Sequence, residues 1–421
     1  MNRTSLRLAA VVCGLAITTA ACGSNSTTTS STAAGATPTA GVTTGALAMT
    51  AVTGADAAKT PAAELRAGLT YLLTEHVYLA GLATGTAVAK KGNLKDPAVV
   101  GAVKALDANS VALSKAVGSA YPTAEKPFLA SWRQHIGFFV DYTLGKATKN
   151  ATMTAKAVKD LDGYRTSFGQ LINSVVPELP ATAVADELKP HVASLFAAID
   201  AQVAGSPTQF SLLETAAGHM GNTAKVLAGG IAANKKLVGS SDGDASTLRA
   251  GLTSLLVEHV YLAGITINQA VADKGNLKSP ATAAAVGALD TNSVNLSKAV
   301  GSAYPNAEKP FLASWRQHIG FFVNYALGKA TMNAAMTAKA VKDLDGYRTS
   351  FGQLINSVVP ELPATAVADE LKPHVASVFK AIGDVITKSP NLFTDLAAAA
   401  AHMPGTAAIL AGGISANKKL S

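Results

Sequence analysis

Cysteine is nearly absent from this sequence of 421 residues, and the two that occur, Cys13 and Cys22, both lie close to the amino terminus. The rest of the chain therefore has neither a disulfide nor a thiolate metal ligand. Aromatic residues make up only 5% of the chain and charged residues 15%, against 48% hydrophobic residues in all. A core with so few aromatics has to be built from alanine, leucine and valine, which favours close helix-on-helix packing.

The excess of positive charge is small. The formal net charge is +8 at pH 7, and two of the basic residues, Arg3 and Arg7, lie in a segment that we expect to be removed. No run of basic residues accompanies aromatic platforms, so the sequence indicates no nucleic-acid partner. It also has no glycine-rich phosphate loop and no Gly-x-Ser-x-Gly turn, and hence no complete catalytic motif.

The amino-terminal part has the pattern of an exported lipoprotein. Residues 1–21 contain two arginines, an apolar run and then small residues, which is typical of an export signal. Thr19-Ala20-Ala21-Cys22 resembles the bacterial lipobox, in which the signal is cut before a cysteine that receives lipid; the alternative is a plain secretory signal cut elsewhere. Residues 22–60 are rich in serine, threonine and alanine and predict a flexible tether. We therefore expect a lipid on Cys22 that attaches the protein to the extracytoplasmic face of a bacterial cell membrane.

What the chain does contain is a long internal repeat. Trp132–Phe139 returns letter for letter at Trp315–Phe322, and 318 − 135 = 183 gives the offset that relates two copies without a gap. The first copy occupies 61–237 and the second 248–421, with a short polar linker at 238–247.

Helix signals recur at regular intervals within each copy. Thr60-Pro61, Asp96-Pro97 and Ser206-Pro207 each place a capping residue before a proline at the first helical position. Pro190 falls inside the fifth helix, where we expect a kink. The predicted fold is all-α, with two tandem six-helix bundles built from αα-hairpins. In the first copy the helices are predicted near 61–91, 97–119, 124–147, 150–175, 182–204 and 207–235.

All eight histidines fall within the repeat, four in each copy. Residues three, four and seven positions away share a helix face with each of them, and those neighbours are largely apolar. The four imidazoles of a copy should therefore point into its interior, where both ring nitrogens need partners. The candidate metal ligands are His76, His135, His191 and His219 in the first copy and His259, His318, His374 and His402 in the second.

Converging imidazoles indicate either a bound transition metal or a structural hydrogen-bond network. Imidazole suits zinc, copper and iron, and four imidazoles would fit a closed tetrahedral zinc site. Met220 would favour copper, but it directly follows His219 and adjacent helical positions diverge by about 100°, so we assign Met220 to core packing. Side chains that could orient the imidazoles, or ligate themselves, are Glu75, Asp107, Asp162 and Tyr164, and in the second copy Glu258, Asp290, Asp345 and Tyr347.

Three classes of function remain open. The first is an extracytoplasmic protein that binds a transition metal through its buried histidines. The second is a non-catalytic envelope module that binds a protein, a glycan or a small ligand, with the histidines as a structural network. The third, a metal-dependent oxidoreductase or hydrolase, would need an open coordination position or a reachable acid–base pair, and the sequence contains no sign of either.

Several segments together resemble a known kind of protein. They are Leu65-Arg-Ala-Gly-Leu69, Leu73-x-Glu-His-Val-Tyr-Leu-Ala80, Trp132-Arg-Gln-His-Ile-Gly-Phe-Phe139 and Leu161-Asp-Gly-Tyr-Arg165, with their counterparts in the second copy. The pattern is similar to an uncharacterised helical module of secreted bacterial proteins, some of which carry a label taken from the amino-terminal domains of copper amine oxidases. The resemblance implies no established activity and no oxidase chemistry, because the topaquinone-forming tyrosine context and the catalytic β-domain have no counterpart here.

Overall fold

The computed structural model describes residues 54–421, and within that range the chain forms α-helices and short 3-10 helices and no strand. The predicted all-α class is thereby confirmed. The export signal, the lipid acceptor Cys22 and the tether up to residue 53 lie outside the described residues. Both copies of the repeat belong to one compact unit.

Each copy contains seven α-helices in the same order. The first copy has α1 (Pro61–Ala89), α2 (Pro97–Ala120), α3 (Glu125–Ala147), α4 (Ala151–Val175), α5 (Ala181–Val203), α6 (Gln209–Gly218) and α7 (Met220–Lys235). The second copy has α8 (Asp244–Ala272), α9 (Pro280–Ala303), α10 (Glu308–Ala330), α11 (Ala334–Val358), α12 (Ala364–Thr387), α13 (Leu392–Ala400) and α14 (Met403–Lys418). The 3-10 helices are Gly54–Lys59, Pro122–Ala124 and Pro305–Ala307.

Two of the three predicted helix starts are confirmed. The Thr60 hydroxyl accepts a backbone N–H of the first turn of α1 at 3.3 Å, and the Asp96 carboxylate does the same for α2 at 2.9 Å. The third prediction was wrong, since α6 begins at Gln209. There the Ser206 hydroxyl pairs with Thr208 Oγ1 at 2.7 Å and caps no helix.

The single helix predicted over 207–235 is in fact two helices. α6 ends and α7 begins on either side of His219, which forms the junction. The second copy has the same break between α13 and α14, next to His402. Met220 and Met403 are therefore the first residues of their helices, and both are buried.

Consecutive helices of a copy pack on one another, and three helices also meet at its centre. These three are α1, α3 and α5, which all contact one another. α7 returns to α1, and α5 continues through Pro190 without interruption. In the second copy α8, α10 and α12 form the same mutually contacting centre. The middle of each copy is thus lined by its first, third and fifth helices.

The two copies pack on each other chiefly through α1 and α8, and their contacts are reciprocal. Arg66 Nη1 donates to Ser241 O at 2.6 Å, and the equivalent Arg249 Nη1 donates to Ala58 O at 2.7 Å. A surface that each partner offers to the other in the same way is the mark of a twofold interface. Two copies in one chain therefore reproduce the geometry of a dimer.

The predicted linker and the end of the predicted tether are both part of this fold. α8 begins at Asp244, inside the segment 238–247. The 3-10 helix Gly54–Lys59 packs on α14 and α8. The described part of the chain thus begins and ends against the second copy.

Two segments of the second copy, Asp244–Ala272 and Leu392–Lys418, are long and apolar enough to cross a membrane by length and composition. Of their most apolar windows, 72% and 56% respectively is buried in the fold. Burial of this extent is what the core helices of a packed bundle have, and their apolar composition is accounted for in that way.

Candidate metal centre

Three of the four histidines of each copy meet in its interior. His76 on α1, His135 on α3 and His191 on α5 are all buried and lie on the three helices that contact one another. The corresponding residues on α8, α10 and α12 are His259, His318 and His374, and they are buried too. These two groups are called the histidine clusters below. Each of the three helices that meet at the centre of a copy contributes one histidine to its cluster.

One contact in each cluster joins two ring nitrogens. His76 Nε2 and His135 Nε2 lie 3.3 Å apart, and His259 Nε2 and His318 Nε2 are separated by the same 3.3 Å. The His191 ring is farther away, with its centroid 6.4 Å from that of His76. Two nitrogens that bind one tetrahedral ion at ~2.0–2.1 Å are roughly 3.3–3.4 Å from each other. The observed separation therefore suits two ligands of one ion as well as it suits an N–H···N hydrogen bond.

Aromatic rings enclose each cluster. Trp132 lies against both His76 and His135, with centroid distances of 4.9 and 4.6 Å. Tyr164 stacks on His135 at 4.9 Å and an interplanar angle of 24°, and Tyr347 stacks on His318 in the same way. Among the predicted orienting residues, the structure places only these two tyrosines against an imidazole. Their buried hydroxyls make no hydrogen bond of normal geometry, although Ser131 and Ser314 lie close enough to oppose the rise in the pKa of Tyr164 and of Tyr347. The surroundings are therefore apolar apart from a few unpaired donors.

Burial keeps the imidazoles neutral. Desolvation lowers the pKa of His76 to about 3 and the pKa of His191 to about 4, and it holds the pKa of His135 well below its usual value. Repulsion from the neighbouring rings adds to the lowering in each case. A neutral imidazole is the form that binds a metal ion, because protonation occupies the lone pair.

The Nδ1 atoms of the first cluster lack partners. Those of His76, His135 and His191 are all buried without a hydrogen bond. Asn109 is nevertheless near enough to raise the pKa of His76, as an amide oxygen facing an Nδ1 proton would, and the Trp132 backbone does the same for the pKa of His135. Protons on both Nδ1 atoms would leave two bare Nε2 lone pairs facing each other at 3.3 Å. Such lone pairs repel, and a cation between them would remove the repulsion.

One contact in the second copy favours the opposite protonation. Trp315 Nε1–H donates to His259 Nδ1 at 3.3 Å, which requires the proton of His259 to lie on Nε2. That Nε2–H can then donate to His318 Nε2. In the first copy the equivalent Trp132 Nε1–H is buried without a partner. The rings are nevertheless placed almost alike in the two copies, with the Trp132–His76 and Trp315–His259 centroids 4.9 and 4.8 Å apart. Asn292 also raises the pKa of His259 as Asn109 raises that of His76, so both copies allow either protonation.

A small cavity adjoins each cluster. In the first copy its volume is about 20 Å³, and His135, His191 and Met220 are among the residues that line it. In the second copy the volume is about 30 Å³, and the lining includes all three histidines of the cluster together with Met403. Each cavity has room for a water molecule or a single ion and not for a larger ligand.

The fourth histidine of each copy lies apart from its cavity. His219 and His402 are half-buried at the helix junctions, and neither lines the cavity of its copy. His219 does lie close enough to His191 to lower the pKa of that residue. Consecutive helical positions diverge by about 100°, so only one of His219 and Met220 can point inward. The sequence predicted that this would be His219, but in the structure it is Met220. Pro404 could have indicated this, because a helix tolerates proline only in its first turn and Pro404 therefore predicts a helix start at Met403.

Four of the carboxylates predicted to orient the imidazoles are on the surface. Asp107 accepts two hydrogen bonds from Arg133, at 2.6 and 2.8 Å, and Asp162 pairs with Arg165 one turn along α4. Their equivalents in the second copy are Asp290 and Asp345, which pair with Arg316 and Arg348. Exposed ion pairs of this kind leave no role for these residues beside a buried imidazole.

The remaining two carboxylates, Glu75 and Glu258, lie between the copies. Tyr78 donates its hydroxyl proton to Glu258 Oε2 at 3.0 Å, and Tyr261 donates to Glu75 Oε1 at 3.1 Å. The two tyrosine rings stack on each other, 5.3 Å apart and 3° from parallel. Each copy thereby supplies a phenol to the carboxylate of the other.

Each of these carboxylates also accepts from an asparagine of its own copy. Asn109 Nδ2 donates to Glu75 Oε2 at 2.9 Å, and Asn292 Nδ2 donates to Glu258 Oε1 at 2.8 Å. Burial raises the pKa of Glu258 to about 7 and raises the pKa of Glu75 as well, while these hydrogen bonds oppose the rise. Glu75, Tyr78, Asn109, Glu258, Tyr261 and Asn292 are called the interface clasp below.

Within residues 54–421 no group of three or more histidine, cysteine, aspartate or glutamate side chains is arranged to hold a metal ion. Each histidine cluster offers two nitrogens at the right separation, so a third ligand has to come from a small movement or from another residue type. Comparisons with known proteins add no further guide: no protein-family model, no curated protein and no solved structure matches the chain.

Proposed function

We propose that this chain is a lipid-anchored protein of the extracytoplasmic membrane face in which each copy binds one transition-metal ion in its histidine cluster. The observation that carries the proposal is the 3.3 Å separation of two buried Nε2 atoms, repeated in both copies. Neutral imidazoles suit zinc, copper and iron. The ion would lie in a closed, apolar surrounding, so the proposed role is binding of the metal and not catalysis.

The unpaired polar atoms around the clusters support an ion. Buried polar atoms nearly always have partners, and each one left without costs on the order of 1–3 kcal/mol. The first cluster has three such Nδ1 atoms, and in the second cluster the Nδ1 atoms of His318 and His374 also lack partners. A metal on the Nε2 side would fix the protons on Nδ1 and orient them towards Asn109 and the Trp132 carbonyl, as is usual for histidine ligands.

We infer further that each copy is a bundle in its own right, built from three αα-hairpins with the last one interrupted at His219 or His402. The pairing of α1 with α2, α3 with α4 and α5 with α6 supports this organisation. On this interpretation each metal site is formed within one copy, and no ligand crosses the interface.

Metal analysis of the purified protein tests the proposal. The wild-type chain should bind two equivalents, and its melting temperature should rise with the added metal because the ion binds only the folded form. His135→Ala should leave one equivalent, and His135→Ala with His318→Ala should leave none. His219→Ala with His402→Ala is the matched control, which removes two histidines outside the cavities and should keep both equivalents.

A wild-type protein with no metal after purification, and no thermal shift with zinc, copper, iron, nickel or manganese, would refute the proposal. Circular dichroism of each variant has to be unchanged, so that a lost site can be separated from a lost fold.

A second candidate is an envelope interaction module in which the histidines form only a structural network. It is favoured by the hydrogen bond from Trp315 Nε1 to His259 Nδ1, which a metal on His259 Nε2 would disrupt. Under this alternative His259→Leu would bring no change in metal content, and Trp315→Phe would destabilise the metal-free protein. Under the metal proposal Trp315→Phe should leave metal binding intact.

The membrane anchor is tested separately. Cys22 is the proposed lipid acceptor, and lipoproteins hold to the membrane through more than one acyl chain. Cys22→Ala should release the protein from the membrane fraction into the medium. Retention of this variant on the membrane would mean that the anchor lies elsewhere.

A further inference from the structure

Buried methionine is confined to the two cavities. Among the methionines of the described residues only Met220 and Met403 are buried, each 2% exposed, whereas Met153, Met332 and Met336 are not. Met220 lines the cavity of the first copy beside His135 and His191, and Met403 lines that of the second copy. The helix break before α7 and before α14 turns these two methionine side chains towards the cavities.

The donors around the cavities are all neutral. Histidine, methionine, tyrosine and threonine are the residues with donor atoms for a metal ion among those that line each cavity, and no aspartate or glutamate lines either one. The cost of moving an ion out of water rises steeply with its charge, and neutral ligands in an apolar core do not neutralise it. A monovalent ion is therefore accommodated more readily than a divalent one.

The softness of the thioether sulfur also favours a monovalent ion over a divalent one. Thioether ligands select cuprous copper over the harder divalent ions of the first row, and imidazole accepts either. Cuprous copper also needs few ligands, and each cavity adjoins imidazoles and one thioether. They are His135, His191 and Met220 in the first copy, and His259, His318, His374 and Met403 in the second. Charge and softness thus favour the same ion.

We propose that Met220 and Met403 each supply a sulfur ligand that completes the site of their copy, and that the ion these sites select is cuprous copper. This inference rests on the proposed metal-binding function and goes beyond it by naming the ion and the third ligand. On this proposal His219 and His402 do not bind the ion.

The test compares cuprous and zinc ions on the full chain. Cuprous copper is held reduced with ascorbate under anaerobic conditions and is offered in competition with a coloured cuprous chelator, and zinc is measured in parallel. Met220→Leu with Met403→Leu is the variant, since exchange of methionine for leucine nearly conserves volume. Met153→Leu with Met336→Leu is the matched control outside the cavities.

The expected result is two cuprous ions per wild-type chain, with affinity lost by on the order of tenfold or more in the cavity variant, and no loss in the control. Zinc affinity should change little in either variant. X-ray absorption of the copper-loaded wild type should contain a sulfur shell that the cavity variant lacks.

The outcomes separate the two levels of the proposal. Equal cuprous affinity in wild type and cavity variant, or a copper spectrum with no sulfur shell, would overturn the methionine inference and leave histidine-based metal binding standing. A wild-type chain that binds neither copper nor zinc would overturn the proposed function, and the inference with it.

Discussion

The interface clasp and the histidine clusters are both buried polar groups, and they begin at adjacent residues of α1, Glu75 and His76. In the clasp every carboxylate and phenol oxygen has a hydrogen-bond partner, whereas in the first histidine cluster three ring nitrogens have none. One neighbour is turned towards α8 and the other into its own copy, because successive helical positions diverge by about 100°.

This difference separates two reasons for burying polar groups. In the clasp the carboxylates and phenols are paired across the interface that they specify, and only the amide oxygens of Asn109 and Asn292 lack a hydrogen bond. The ring nitrogens left without partners in the histidine clusters require something more, and an ion is one such addition. The comparison therefore assigns the clasp to architecture and the histidine clusters to binding.

Acid should have the largest effect, and it should act on the histidine clusters. The folded-state pKa values of His76, His259, His191 and His374 are about 3 to 4, against about 6.5 in an unfolded chain. The unfolded state therefore takes up protons that the folded state refuses, so stability present above pH 6.5 is lost as the pH falls. By pH 5 each cluster imidazole should lower the free energy of unfolding by about 2 kcal/mol. The metal-free protein, held in a chelator, should unfold between about pH 4 and 6 by circular dichroism.

Protonation of the two clasp carboxylates should instead stabilise the folded state in acid, but the six cluster imidazoles outnumber them. Because the folded pKa of Glu258 is about 7, acidification from pH 7 to 5 favours the folded state by up to about 3 kcal/mol at that group. His135→Leu with His318→Leu should flatten the acid loss by removing two of the six imidazoles. A melting temperature that stays constant down to pH 4 would contradict the assignment of neutral buried histidines.

Removing the phenols of the clasp should have the next largest effect. Tyr78→Phe removes the phenol that donates to Glu258 Oε2, which has no other phenol donor within residues 54–421, and should destabilise the protein by about 1–3 kcal/mol in denaturant unfolding. Tyr261→Phe should cost less, since Glu75 Oε1 also accepts from Tyr71 at 3.1 Å, for which the second copy has Ser254. Tyr78→Phe is therefore expected to be more destabilising than Tyr261→Phe, because Tyr71 of the first copy is replaced by Ser254 in the second.

Tyr325→Phe is the control for the clasp, because Tyr325 stacks on Phe379 and its hydroxyl makes no hydrogen bond within residues 54–421. It should change stability by less than either clasp variant. Equal losses for all three would mean that the hydrogen bonds between the copies contribute no more than a tyrosine hydroxyl elsewhere.

The smallest effect is expected from the carboxylates that sequence analysis had placed beside the histidines. Asp107→Asn breaks an exposed two-point pair with Arg133, and exposed pairs contribute about 0–1 kcal/mol. Metal content should be unchanged, as measured by elemental analysis. A variant that lost its metal would show that Asp107 reaches the cluster after all.

Local signals in the sequence were sufficient for most of the fold. Thr60 and Asp96 mark helix starts because a capping side chain satisfies nearby backbone N–H groups, and that chemistry is complete within four residues. The convergence of His76, His135 and His191 was also predictable, since each lies on an apolar face and such faces turn inward.

The partners of the buried polar residues were not predictable in the same way. Periodicity gives the face on which Glu75 lies, but it does not say that Tyr261, 186 residues away, approaches that face. The reciprocal interface exists only once both copies are folded and packed. For Met220 the information was present in Pro404 of the other copy, and only a comparison of the copies extracts it.

The reciprocal ends of the copies make the order of the chain arbitrary. Ala62 N–H donates to Val238 O at 3.2 Å, and Ala245 N–H donates to Ser421 O at 2.9 Å. The first helix of each copy therefore begins beside the residues that follow the last helix of the same copy. Gly54 N–H donates to Leu420 O at 2.8 Å, which brings the two ends of the described chain together. Joining residue 421 to residue 54 and opening the chain between the copies would therefore give a circular permutant with the same neighbours throughout.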